Sequence, residues 1–244
     1  MVTGISNVVH FQARRAACSV CSLQDICLPM DLDRESQQAL EDIIETIGPL
    51  HKGDYLFRQG DPFDSIYAVR SGYVKTYLTT ESGEEQVLGF YMPGEILGLN
   101  SIHSQQKRCS AEVLNTSMIC RLPFDELTLA CRSIPPLQRQ LLRLMSRELV
   151  ISESLSAIQT AEERIATFLL NWGERLARQG FSPRHYILPM TRQDIGNYVH
   201  LAPETVSRCL GAFVEKGWVD TFRREIKITN ELALTTQCHN DWTL

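Results

Sequence analysis

Residues 191–213 read TRQDIGNYVHLAPETVSRCLGAF, two short amphipathic segments with His200 at the turn between them. Thr191 suits a helix N-cap, and Asp194 three residues on completes a capping-box-like arrangement with acid near the helix N-terminus. Gly196 permits close helix–helix approach. Pro203 suits the first turn of a second helix, whose inward stripe is Val206, Leu210 and Phe213. Glu204, Ser207 and Arg208 then share the opposite face at i, i+3 and i+4. That face fits a DNA major groove: Arg donates twice to guanine O6 and N7, Glu accepts from cytosine N4, and Ser takes either role. A recognition helix touches bases near its N-terminus, so Pro203 and Thr205, with Arg192 at the start of the preceding helix, complete the candidate DNA-binding surface.

A solvated charged face has the same spacing, and the flanking segments argue against it. A helix is expected from Ala161 to Arg178, a short strand from Tyr186 to Leu188, and a hairpin from Trp218–Thr221 and Glu225–Ile228. With the two short helices between, this is a winged helix-turn-helix over 159–232, followed by a tail, 233–244, with no interpretable pattern. Residues 160–230 carry ten Lys and Arg against eight Asp and Glu, a slight positive balance in a chain of net charge −5. The C-terminal part is therefore the better candidate for facing phosphate.

Upstream, Pro135 and Pro136 suit a helix start, and Leu137, Leu141, Leu144, Ile151, Leu155 and Ile158 recur at helical spacing over 135–158. A second stripe, Leu142, Met145 and Leu149, continues through Ser152 and Ser156. Two faces imply two neighbours, a β-domain and a second subunit, so the second stripe is the candidate dimerisation surface. A helix buried within one chain is the alternative.

Between Lys52 and Leu122, short β-branched and aromatic runs (Tyr55–Phe57, Ile66–Val69, Tyr73–Leu78, Gln86–Tyr91, Ala111–Leu114 and Met118–Leu122) alternate with Gly, Pro and Asn turns. They predict a β-roll or jelly roll over 31–134. The fold class is α+β: a β-roll, a long helix and a winged helix-turn-helix.

Residues 1–30 hold Cys18, Cys21 and Cys27 without helical or strand period, and read as an arm outside the core. Three thiols on a short segment can wrap one metal centre, and a fourth would complete it. Cys109, Cys120, Cys131, Cys209 and Cys238 are the candidates, and spacing does not choose among them. A four-cysteine zinc site usually draws on two close pairs, which the 2+5 spacing fits poorly. A Cys18/Cys21 redox dithiol lacks its βαβ surroundings. No cysteine has a Cys/His catalytic context, so an enzyme is not expected. At 244 residues, 43% apolar, without a signal-peptide pattern or a membrane-length apolar run, the chain is expected to be two-domained and cytoplasmic, with no membrane partner.

Residues 204–208 (ETVSR), 161–166 (AEERIA), 178–183 (RQGFSP) and 144–146 (LMS) resemble the CRP/FNR transcription regulators, and within them the FNR branch. The resemblance runs from about Cys18 to Ile228. It implies a homodimer that regulates anaerobic metabolism and reads palindromic TTGAT-like half-sites in double-stranded DNA, with Glu204, Ser207 and Arg208 on bases. Residues 116–124 (TSMICRLPF) resemble the segment bearing the family's distant fourth ligand, which falls on Cys120. Cys18, Cys21, Cys27 and Cys120 would then hold an oxygen-labile [4Fe-4S] cluster that orders the arm, moves the long helix and favours dimerisation. Glu148 and Glu153 would repel across the seam, and Ser152 stands where the best-known FNR sequences carry an acid. Residues 80–85 (TESGEE) resemble a loop that touches RNA polymerase.

The chain departs from the pattern at His200, where the family often has Gly, and at Pro203, beside the base contacts. A related effector class binds cyclic nucleotide in the β-roll. Here Gly98-Leu99-Asn100 lacks the carboxylate that would bind ribose, while Lys107 and Arg108, expected to be solvated in a polar turn, are the residues left to meet a small anionic effector.

Overall fold

A computed structural model describes residues 14–15, 18–81, 83–157 and 160–238, with side chains described over 18–81, 83–150 and 160–238. The N-terminal half runs β1 (Arg14–Arg15), α1 (Arg34–Ile43), β2 (Glu45–Leu50), β3 (Tyr55–Phe57), β4 (Ser65–Ser71), β5 (Val74–Thr79), β6 (Glu85–Tyr91), β7 (Ile96–Leu97), β8 (Ser110–Val113) and β9 (Ser117–Pro123). Helices α2 (Phe124–Ser133) and α3 (Pro135–Ala157) follow. The C-terminal part runs α4 (Ala161–Arg178), β10 (His185–Ile187), α5 (Arg192–Val199), α6 (Pro203–Glu215), β11 (Val219–Phe222), β12 (Glu225–Ile228) and α7 (Glu231–Gln237).

Two antiparallel sheets, ordered β1-β2-β9-β4-β7 and β3-β8-β5-β6, form the roll. Strand parity explains its core. On β4, Tyr67 and Val69 face the roll interior with Phe57, Val74, Leu97, Ala111 and Ile119. Ile66 and Ala68 face outward into a second cluster with Leu28, Leu40, Leu122, Leu127 and Leu137. A strand covered on both sides reads as a continuous apolar run, which is why β4 shows no polar alternation. The outer cover includes the cysteine segment itself: Cys18 and Leu28 are buried there. This corrects the expectation of an arm outside the core, because the segment carries too few apolar residues to show a period yet packs through these two.

Helix α3 spans 23 residues and lays Leu137, Leu141 and Leu144 on that outer cluster. Its other face leaves Leu142 58%, Met145 37% and Leu149 66% exposed. The side chains of Ile151, Ser152, Glu153, Leu155 and Ser156, and the whole of Ile158, lie outside the described residues. Among the described residues, no helix is long and apolar enough to cross a membrane.

The three-stranded sheet β10-β12-β11 and helices α4–α7 form the C-terminal unit, and its core is continuous with the outer face of the second roll sheet. Tyr77, Val87, Phe90, Met92 and Leu114 of the roll share one cluster with Phe168, Trp172, Val206 and Phe213. Lys75 lies buried in this seam, with Nζ 3.1 Å from Asp194, 3.1 Å from Glu85 and 3.4 Å from Glu112. Burial disfavours its ammonium, but Asp194 and Glu85 outweigh that and hold its pKa above the ordinary lysine value. Removing one partner from a buried ionic group strands the others at a cost of about 3 kcal/mol or more. Lys75→Met should therefore lower stability by about 3 kcal/mol, read as a lower urea midpoint; a midpoint equal to wild type would show that the seam does not depend on this charge.

Candidate functional site

The helix pair α5–α6, the candidate reading head, is built by local chemistry. Thr191 Oγ1 accepts from the Asp194 N–H at 3.1 Å, and Asp194 Oδ2 accepts in return from the Thr191 N–H at 2.9 Å. Both halves of a capping box are present, so α5 starts at a fixed residue. Burial would raise the Asp194 carboxyl, but hydrogen bonds from Thr191 and the Lys75 ammonium hold it below its ordinary value. Helix α5 ends on His200, left-handed at φ 56° and ψ 48°. The chain then turns so tightly that a Cβ on Gly196 would stand 2.5 Å from the Leu201 carbonyl oxygen.

Pro203 opens α6, and Val206, Cys209, Leu210 and Phe213 are buried along its inner face. Burying each large apolar side chain contributes about 1.5–3 kcal/mol, which fixes the helix's rotation. The rotation leaves Glu204, Ser207 and Arg208 exposed together, flanked by half-buried Pro203 and Thr205. Ser207 Oγ donates to the Pro203 carbonyl at 3.0 Å, and Arg208 Nη2 donates to Thr205 Oγ1 at 3.1 Å. Arg208 keeps its other N–H groups for an outside acceptor. Arg192 sits apart from this row, half-buried at the start of α5, with Nη2 3.3 Å from the carbonyl of Arg223 in the wing turn.

The second constellation lies on the outer face of the first roll sheet. Cys18, Cys21, Cys27 and Cys120 line one cavity, with Leu23, Leu28, Pro29, Ile44, Ala68 and Leu122 as apolar wall. One-turn hydrogen bonds, Cys21 N to Cys18 O at 3.0 Å and Cys27 N to Leu23 O at 3.0 Å, coil the segment so that three thiols meet the strand. Cys120 comes from β9, paired with Ala68 of β4 and Thr46 of β2. Burial, then the neighbouring Cys120, pushes the Cys18 thiol up to about 12; burial pushes Cys27 to about 12 and Cys120 to about 11. The cavity is partly open to the surface, with a volume of about 30 Å³, and among the described residues no three His, Cys, Asp or Glu converge closely enough to hold a single ion. The donor set, four thiols on one apolar cavity, fits a thiolate-bound group.

Cys109, Cys131, Cys209 and Cys238 are buried away from this cavity. Lys107 corrects an expectation: it is buried rather than solvated. Its Nζ donates to the Ser65 carbonyl at 2.6 Å, lies 4.7–4.8 Å from the ring centroids of Phe57, Phe63 and Tyr67, and is pushed down to about 8 by burial. Arg108 alone of the pair stays exposed. The buried pairing of Lys75 with Asp194 escapes sequence reasoning, since nothing local links residues 119 apart.

Comparison with known proteins matches residues 48–133 to the cyclic nucleotide-binding domain and residues 163–236 to the Crp-like helix-turn-helix domain. The transcriptional activator protein FnrA of Stutzerimonas stutzeri is 42% identical over 224 residues, 91% of this chain and 92% of that protein. The fumarate and nitrate reduction regulatory protein of Yersinia pestis is 40% identical over 226 residues, 91% of this chain and 90% of that protein. The chain belongs to the FNR branch of the CRP/FNR family. Among solved structures, FixK2 from Bradyrhizobium japonicum is similar at TM-score 0.72 and 28% identity, covering 81% of this chain and 97% of that one. The CRP/FNR regulators are a non-enzymatic, DNA-binding family, and the α+β architecture of roll, long helix and helix-turn-helix is theirs.

The His200 departure is visible in this CRP/FNR head as a non-glycine residue in left-handed backbone, at a cost of about 1 kcal/mol. His200→Gly should raise stability by about that amount in urea denaturation, and an unchanged midpoint would show that the imidazole offsets the strain.

Proposed function

We propose that this regulator uses an oxygen-labile [4Fe-4S] cluster, held by Cys18, Cys21, Cys27 and Cys120, to control dimerisation and binding to palindromic TTGAT-like promoter sites of anaerobic metabolism. The observation that carries the proposal is the meeting of a remote strand thiol with three thiols of the N-terminal segment around one apolar cavity. A four-cysteine zinc site usually draws on two close pairs, which three thiols of one short segment and one remote strand thiol fit poorly. When bound, the cluster supplies an oxidisable iron–sulfur centre whose loss removes the link between the segment and β9.

The chain's own packing connects that link to the helix. Cys18 and Leu28 share a cluster with Ile134 and Leu137 at the start of α3, so outward movement of the segment disturbs the helix's seat. The exposed Leu142, Met145 and Leu149 then meet the same stripe of a second copy, which Ser152 and Ser156 extend along the helix. A dimer places two α6 helices about one DNA turn apart, with Glu204, Ser207 and Arg208 on base edges and Pro203, Thr205 and Arg192 supporting them. The exposed turn between β5 and β6 is the proposed contact with RNA polymerase, in the cytoplasm. A small anionic effector in the roll is disfavoured because Lys107 is buried with its ammonium already donating to the Ser65 carbonyl.

Anaerobic purification followed by iron, sulfide and zinc analysis should find about four irons and four sulfides per chain, lost on exposure to air. Zinc, or no metal, overturns the cluster. For DNA, Glu204→Ala and Arg208→Ala should each weaken binding to a palindromic TTGAT site by about 1–3 kcal/mol while leaving affinity for random duplex nearly unchanged, read by fluorescence anisotropy at fixed salt. An equal loss on both duplexes would place these residues on phosphate and not on bases.

A further inference from the structure

Arg70 stands on β4 where the pairing with β9 shifts register between Val69 and Ser71. The strand's alternation sends Ile66 and Ala68 to its outer face, and Arg70 has the same parity. Here the result is that Arg70, half-buried, lines the cavity of Cys18, Cys21, Cys27 and Cys120. It is the one charged side chain among the described residues of that lining. Other covered cations of the roll have carboxylates within 4.0 Å: Lys75 has Asp194, Glu85 and Glu112, half-buried Arg121 has Glu45 and Asp64, and Lys107 has Asp64 at 4.0 Å. Among the described residues Arg70 has no ion-pair partner within 4 Å. The acid on the other side of the thiols, Glu41 of α1, already accepts from the Ser19 N–H at 2.6 Å.

A guanidinium with no carboxylate partner among the described residues, lining an apolar cavity of four thiols, is an arrangement suited to negative charge. Four thiolates outweigh the charge of an iron–sulfur core and leave the centre a net anion, costly to bury without a compensating cation. We propose that Arg70 is the charge-compensating positioning residue of this site, offsetting the negative charge of the thiolate-held centre and raising its reduction potential. The inference rests on the cluster proposed above and adds to it a residue that touches no iron. It also gives the guanidinium a role in retention, because a compensated anion is less easily drawn out into water.

The test compares full-length wild type, Arg70→Gln and Arg70→Lys, each purified and reconstituted anaerobically. Iron and sulfide content is measured first, then the one-electron midpoint potential by mediated spectroelectrochemical titration. Arg70→Gln should make reduction of the centre about tenfold less favourable, about 59 mV lower for a one-electron couple, and Arg70→Lys should recover most of that. A Gln variant that loses its iron while the Lys variant keeps it also supports compensation. Equal potentials in wild type and Arg70→Gln, or Arg70→Lys falling as far as Arg70→Gln in potential or in iron content, overturns the role of charge. Wild type without iron and sulfide removes the cluster and this inference with it, whereas a loaded wild type with an unshifted Gln variant removes the inference alone.

Discussion

The ammonium of Lys75, sealed between the second roll sheet and helix α5, is the interaction on which the position of the reading head depends. It is costly to bury, and only the convergence of Asp194, Glu85 and Glu112 makes its burial tolerable. Asp194 is already committed to the Thr191 capping box, so one carboxylate fixes where α5 begins and where it sits against the roll. Beside it, Arg175 of α4 binds Glu95 and the Phe90 carbonyl, and Phe90, Phe168, Trp172 and Tyr198 stack edge to face. Apolar contacts alone would let the two units slide, since area burial is non-directional. The charged contacts add direction, and they mean that turning the head away from the roll must first give up a buried ion cluster.

The opposite sheet does different work by the same means. Strands β4 and β9 divide their side chains by parity, one set filling the roll and the other forming the floor of the thiol cavity and the seat of α3. Because the interior set is close-packed, the floor is rigid, and any change of volume in the cavity falls on the covering segment, Cys18 to Pro29. That segment touches the same apolar cluster as Leu137. A site placed on a two-sided sheet thus has a short mechanical route to the long helix, without a chain of intermediaries.

Much of the head was legible because its determinants are local. A capping box, a left-handed turn residue, a proline at N1 and a 3.6-residue stripe each depend on residues within four positions of one another, and each is found where the sequence puts it. Three kinds of feature were not legible. Helix α1 has little more than Leu40 fully buried and so shows no stripe, although Asp33 caps it at 2.8 Å through the Ser36 N–H. Strand β2 is interrupted by Gly48-Pro49, a turn signal that tertiary pairing with β9 overrides at a register shift. Helix α7 follows the hairpin with one buried anchor, Leu234. Lys107 departs from its expected exposure for a related reason: a basic residue in a polar turn looks solvated until Phe57, Phe63 and Tyr67, all from other segments, close around it.

The fourth thiol shows what the fold adds to spacing. Five cysteines beyond the first three are equally available on paper, and only their address in three dimensions separates them. Cys109 belongs to the roll interior, where the sheet itself stands between it and the N-terminal segment. Cys131 shares the outer cluster but belongs to α2 and does not reach the cavity, while Cys209 and Cys238 are buried in the C-terminal core. Cys120 alone has the outward parity on a central strand, one step from Ile119, which points the other way. A shift of one residue in the β9 register would bury that thiol in the roll and expose an isoleucine to the cavity. The pairing that holds the register, Ala68 with Cys120 and Val69 with Ile119, is followed at once by the bulge that carries Arg70. The ladder resumes at Ser71 with Met118, and Arg70 keeps the outward parity of Ala68, so the fourth thiol and the guanidinium beside it are both placed by how β4 pairs with β9.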